Sequence, residues 1–155
     1  MGIGAKIIAE ARKDIGKHET GGNNGGTYVT DLLKRVHCPP HNPWCAAFAC
    51  CKVKDATGQW PLGGGSAGCG TLRARAIAHG TWIPVGSKEP ILRGYIGIFH
   101  GDEHAVIVVK KRRLRPVVET IAGNTSRTDG TNVNGGNVAA HTISLSKFSG
   151  FIKTH

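Results

Sequence analysis

The sequence predicts an α+β fold, with N-terminal helices packed on a C-terminal antiparallel β-sheet of about five or six strands. Up to His79 the apolar residues recur at the interval of amphipathic helices. From Tyr95 onward they gather instead into short β-branched or aromatic runs separated by turn residues. There is no internal repeat and no interdomain linker, which places residues 1–155 in one domain. A chain of this length buries roughly two thirds of the surface its unfolded form exposes, so it needs no disulfide scaffold.

The first helix is expected over residues 3–16, where Ile3, Ile7, Ile8, Ala11 and Ile15 fall on one face and Gly16 is the stop. After the loop "HETGGNNGG", a second helix from Tyr28 to Val36 presents Val29, Leu32, Leu33 and Val36, and the prolines of "CPPHNP" forbid its continuation. In "NPWCAAFACCKVKDATG" Asn42 is a favoured N-cap, Pro43 suits the first helical position and Gly58 closes the far end. A fourth helix is expected over Thr71–His79, before Gly80. The expected strands are Tyr95–Phe99, His104–Val109, Arg115–Ala122, Asn137–Ile143 and Phe148–Lys153.

Composition narrows the function classes. The 23 glycines, about twice ordinary usage, imply long loops and close backbone approaches. A net charge of +10 implies attraction to polyanions, whether nucleic acid, anionic lipid or an anionic bacterial envelope. The run "KKRRLR", Lys110 to Arg115, follows an apolar strand and reads as a solvated hairpin turn. Together with Arg73 and Arg75 it is also the basis of a rival reading, a basic nucleic-acid-binding module. No stretch approaches the roughly 18 apolar residues of a membrane span, and the N-terminus lacks a signal-peptide core. The expectation is a monomer made in the cytoplasm, reaching an extracellular substrate only by release or dedicated export. Five cysteines are an odd number, so at least one stays out of any intramolecular disulfide. The spacing of Cys38, His41 and Cys45 is interrupted by prolines and lacks a second ligand pair, which argues against zinc. Cys50, Cys51 and Cys69 are read as small core residues.

Cys45 is the candidate nucleophile, and its geometry alone serves equally a small apolar cysteine packed under Trp44. A cysteine in the first turn of a helix meets backbone N–H groups that have no helical partner and the positive end of the macrodipole, and both favour the nucleophilic thiolate. Such a nucleophile needs a base and a group that orients the base. His104 opens the strand "HAVIVV", and Asn124 ends the next strand in "ETIAGN", where its side-chain carbonyl is positioned to accept a ring N–H. His100, four residues earlier, is the competing base, but "HGDE" reads as a turn.

These residues carry a resemblance. "GKHETGGNNGGTYVTDLLKRVHCPPHNPWCAAF" is similar to the front of CHAP domains, the cysteine, histidine-dependent amidohydrolase/peptidases, a papain-like group related to the NlpC-type hydrolases. "GYIGIFHGDEHAVIVVK" resembles the family's "GDIVxF…GHVGIV" segment, and "ETIAGNTS" resembles its "TIEGNTS". The likeness covers nearly the whole chain in the family's order. Trp44, Asn42 and Glu103 are the candidate substrate-binding residues. The resemblance implies a papain-like fold, Cys45 as nucleophile, His104 as base and Asn124 as polar partner. It also implies an amide bond of peptidoglycan as target, either N-acetylmuramoyl-L-alanine or a stem or cross-bridge peptide bond, with no cofactor and no metal. The expected partner is bacterial peptidoglycan with its anionic wall polymers, and the setting a phage lysin or a secreted toxin. The chain departs from the family at Ala122, where many relatives carry Glu, at Glu103, where the family has Gly, and at Tyr95, where it has Asp. The first two departures keep open a further rival, an inactive CHAP-like wall-binding domain.

Overall fold

The computed structural model describes Met1–His155. Four α-helices come first: α1 (Ile3–Lys13), α2 (Thr27–Arg35), α3 (Cys45–Thr57) and α4 (Cys69–Ala78). Six strands follow: β1 (Trp82–Pro84), β2 (Ile96–Phe99), β3 (Ala105–Lys111), β4 (Val117–Thr125), β5 (Asn137–Ser144) and β6 (Phe148–Ile152). They form one sheet in the order β1-β6-β2-β3-β4-β5, with every neighbouring pair antiparallel. The chain is therefore α+β, as its change of hydrophobic period predicts.

Helix α3 is the centre of the helical layer. Its residues from Cys45 to Val53 are all buried, against Ile7, Ile8 and Ala11 of α1, Val29, Leu32 and Leu33 of α2, and the sheet. The sheet meets it with Ile96, Ile98, Ala105, Ile107, Ile121, Val138 and Ile152. Strand alternation sends Tyr95, Val106, Val108, Val118 and Ala122 into a second cluster with Phe99, Phe148 and Phe151. One buried ion pair fixes α3 to the end of α1: Lys52 Nζ lies 2.5 Å from Asp14 Oδ2, and the Tyr28 hydroxyl donates to the same carboxylate at 2.8 Å.

The helix boundaries depart from expectation by two residues or more in three places. Helix α1 stops at Lys13, because Asp14 leaves the helix to meet Lys52 and Tyr28; Ile15, assigned to its buried face, is half exposed. Helix α3 starts at Cys45 with Trp44 as its N-cap, so Asn42 and Pro43 lie outside it. The Asn42 amide donates instead to the carbonyls of Pro39 and Pro40, at 2.9 and 3.4 Å, and closes the proline loop on itself. Helix α4 begins at Cys69, two residues before the expected Thr71. Gly58 closes α3 as expected, in the left-handed conformation with φ 75° and its N–H on the Lys54 carbonyl.

Strand β1 was not expected. Its three residues are too few for a periodicity to register, and it ends at Pro84 on the sheet edge, where a missing N–H is tolerated. The basic run ends β3 and forms the β3–β4 hairpin turn, as read from the sequence, with Leu114 at its tip 93% exposed. No helix is long and apolar enough to cross a membrane.

Candidate active site

Cys45 is the first residue of α3, and no side chain caps that helix start. The backbone N–H groups of the first turn are therefore free to face whatever sits at the sulfur. The residue is 2% exposed, at the floor of a groove of about 380 Å³ whose walls include Asn42, Cys69, Asp102 and Glu103. Hydrogen bonding from the Cys69 thiol, whose Sγ lies 3.8 Å away, is the largest influence on Cys45. Burial opposes it, but the adjacent His104 imidazole and the Ala105 N–H act with Cys69, and the Cys45 thiol sits well below the ordinary thiol range. Cys69 is pushed the opposite way, chiefly by its bond to Cys45. The contact thus drives the two thiols apart, Cys45 toward lower values and Cys69 toward higher ones.

His104 immediately precedes β3 and is completely buried. Its ring packs edge-on against Phe99, with centroids 5.1 Å apart. Neither ring nitrogen has a hydrogen-bond partner in the protein. Buried polar atoms are nearly always paired, so an unpaired imidazole beside a depressed thiol makes this the candidate reactive centre. His100 is exposed in the turn after β2 and lines a separate groove with Thr131 and Lys147, which removes it as a base for Cys45.

Asn124 does not orient His104 in this structure. Carrying the Ile107–Ile121 pairing three residues along both strands sets position 124 opposite position 104. At Asn124, however, the backbone is left-handed, φ 54°, where β4 slips register against β5. Its Oδ1 accepts from the Gly136 N–H at 3.2 Å. Its Nδ2 donates to Asn24 Oδ1 and Asn134 Oδ1 at 3.4 and 3.5 Å. Asn124 therefore fastens two glycine-rich loops to the end of β4. Ala122 faces the second apolar cluster, so no carboxylate reaches His104 from that position.

The three residues expected at the substrate separate in the same way. Asn42 and Glu103 line the groove with Cys45. Trp44 does not: it is fully enclosed, its indole N–H donates to Glu19 Oε1 at 2.8 Å, and its ring meets Tyr28 edge-on at 6.0 Å. It props the start of α3 from behind. Gly123 of β4 lies directly beneath, where a Cβ would stand 2.6 Å from Trp44 Cζ3 and 2.8 Å from Phe48 Cβ.

Sequence reasoning missed Cys69. The signal was present, since "SAGCGTLRARAIA" puts that cysteine ahead of a helical pattern much as "NPWCAAF" does for Cys45. Starting the helix at Thr71 hid the symmetry. Two arginines assigned to the nucleic-acid rival are engaged elsewhere. Arg73 makes a two-pronged bond to Asp102, both contacts at 2.8 Å, and ties α4 to the turn before β3; Arg75 donates to the Gly64 carbonyl at 3.2 Å. No family model matches the chain, and no curated protein sequence matches it.

Proposed function

We propose that the protein is a cysteine amidohydrolase of bacterial peptidoglycan, built on a papain-like CHAP fold. One observation carries the reading: a depressed thiol at the start of α3, lining an open groove, adjoins a fully buried imidazole behind it whose ring nitrogens have no hydrogen-bond partner. The motif resemblance of "PWCAAF", "HAVIVV" and "GNTS" supplies the substrate class. The Cys45 thiolate attacks an amide carbonyl carbon, and the free N–H groups at the start of α3 face the oxyanion that forms. His104 delivers a proton to the leaving amine. Water then attacks the thioester with His104 as base, releasing the acid and restoring the thiol. Orientation of the imidazole by packing against Phe99 makes this a cysteine–histidine dyad. The surplus of positive charge favours accumulation on an anionic wall and weakens with salt.

The test is mass spectrometry of peptidoglycan digested by the wild type and by Cys45→Ala. New muropeptides from the wild type alone support the reading and identify the bond. Identical digests across a panel of walls refute it and favour the inactive wall-binding rival. The nucleic-acid rival rests on the β3–β4 hairpin, where Lys110, Arg112, Arg113 and Arg115 surround a groove of about 530 Å³. It predicts tight, steeply salt-dependent nucleic-acid binding that Cys45→Ala leaves unchanged.

A further inference from the structure

We propose that Cys45 and Cys69 form an oxidative modification site, in which a hydroperoxide converts the nucleophile and its neighbour into a reversible Cys45–Cys69 disulfide. The two sulfurs are 3.8 Å apart. Each belongs to the first residue of its helix, and neither helix start is capped by a side chain. Both residues line one groove open to solvent, the side from which a small peroxide approaches. Closing to the bonded distance of about 2.05 Å requires the sulfurs to approach by roughly 1.8 Å, within the reach of side-chain rotation and a small shift of one helix end.

The chemistry balances on these two residues and one peroxide. The Cys45 thiolate attacks the O–O bond, an S–O bond forms, and the departing oxygen takes up a proton and leaves as alcohol or water. The Cys45 sulfur is oxidised by two electrons and the peroxide is reduced by two. The Cys69 sulfur, giving up its proton, then attacks the sulfenic sulfur of Cys45. The S–S bond forms, the S–O bond breaks, and hydroxide leaves with that proton as water. The Cys69 thiol is pushed up chiefly by its hydrogen bond to Cys45, then by burial and by charge on Cys45. Oxidation of Cys45 to a neutral sulfenic acid removes the charge and alters the bond, and burial stays.

The remaining cysteines are placed differently. Cys50 donates to the Ser66 carbonyl, and burial pushes its thiol up to about 11. Cys51 donates to the Leu32 carbonyl, and burial pushes it up to about 12. Cys38 also lines the groove and is the competing partner that an experiment must separate. A disulfide at Cys45 would shut off the hydrolysis proposed above. That consequence rests on the hydrolase reading, whereas the sulfur chemistry does not.

The experiment treats the reduced full-length protein with a small excess of hydrogen peroxide, blocks residual thiols with iodoacetamide, and maps the peptides without reduction. The expected wild-type product has lost two hydrogens and joins the Cys45 peptide to the Cys69 peptide, and dithiothreitol restores the starting mass. Cys69→Ser, which keeps a hydroxyl donor at the site, is expected to form no such link and to accumulate oxygen on Cys45. A wild type that gains oxygen on Cys45 with no link, or that joins Cys45 to Cys38, overturns the proposal. A reduced protein that digests no wall yet forms the Cys45–Cys69 link refutes the hydrolase reading and supports this one.

Discussion

Replacing Gly123 with Ala tests whether the nucleophile's position is set by the fit of α3 on β4. The added Cβ would stand 2.6 Å from Trp44 Cζ3 and 2.8 Å from Phe48 Cβ. Carbon atoms pack at about 3.5–4.0 Å, so roughly 1 Å of space has to be found. Neither neighbour yields easily, because both are fully buried and Trp44 is pinned by its bond to Glu19. Trp44 precedes Cys45 and Phe48 follows it by one turn, so the strain lands on the segment that carries the sulfur. Overpacking of this kind costs about 1–3 kcal/mol of stability. Displacing a reacting group by about 1 Å lowers turnover by about 100-fold. Urea denaturation measures the first quantity, and muropeptide release together with iodoacetamide labelling of Cys45 measures the second. Gly2→Ala, with nothing near its Cβ, is the control and should change neither. A Gly123→Ala protein with wild-type midpoint and wild-type rates would refute the claim that this contact positions Cys45.

Three further outcomes follow from the same geometry. Because Cys45 is held below the ordinary thiol range, its alkylation should persist as pH falls below the usual thiol value of about 8.5, while the other cysteines fall silent; a Cys45 that titrates with them contradicts the site. The linked stability has a definite sign: a thiol lowered on folding stabilises the native state fully above its unfolded value, and that contribution is lost as pH falls through the folded value. Asn124→Ala should lower stability by about 2–3 kcal/mol, since it removes the acceptor for Gly136 and places Ala at a left-handed φ. The pH profile of Cys45 alkylation should stay put in that variant; a shifted profile would show that Asn124 acts on the catalytic pair. Lys52→Met leaves the Asp14 carboxylate with Tyr28 and the more exposed Lys17, and urea denaturation should record a loss of about 3 kcal/mol.

What was legible in the sequence was whatever leaves a periodic or positional trace. Ile7, Ile8 and Ala11, or Val29, Leu32 and Leu33, repeat at helical spacing because one face of each helix meets α3, and the structure buries all six. Cys45 was legible because Gly58 and the preceding prolines bracket its helix, and His104 because an apolar strand follows it. Asn124 was placed correctly along the chain, but its contacts were not. One residue in left-handed backbone at a register slip redirects a side chain, and no pattern in "AGNTS" announces that turn. Trp44 misled for a related reason. Beside a nucleophile an aromatic ring suggests a substrate platform, yet its N–H is satisfied by Glu19, 25 residues earlier. Cys69 and the pair Asp14–Lys52 depend on contacts between segments far apart in sequence, which local spacing cannot encode.

The lack of a residue bonded to His104 bears on how such a site holds together. In a cysteine–histidine–asparagine arrangement the third group fixes the tautomer and stabilises the imidazolium, so that the ion pair survives. Here Ala122 lies in an apolar cluster that includes Phe99, and Phe99 packs on His104, so no carboxylate at that position reaches the ring. The interactions that lower the thiol converge on Cys45 itself. The Cys45 sulfur is approached by the Cys69 thiol from α4 and by the Ala105 N–H from the start of β3, and it sits at the open N-terminus of α3. Each of these favours negative charge on sulfur beside the contribution of the His104 imidazole itself. On the proposed hydrolase reading, a Cys45 thiol lowered from several segments tolerates a base held only by packing, provided those segments keep their spacing. On that reading the close seating of α3 over Gly123, and the Arg73–Asp102 tie between α4 and the turn before β3, matter to the chemistry as the imidazole does.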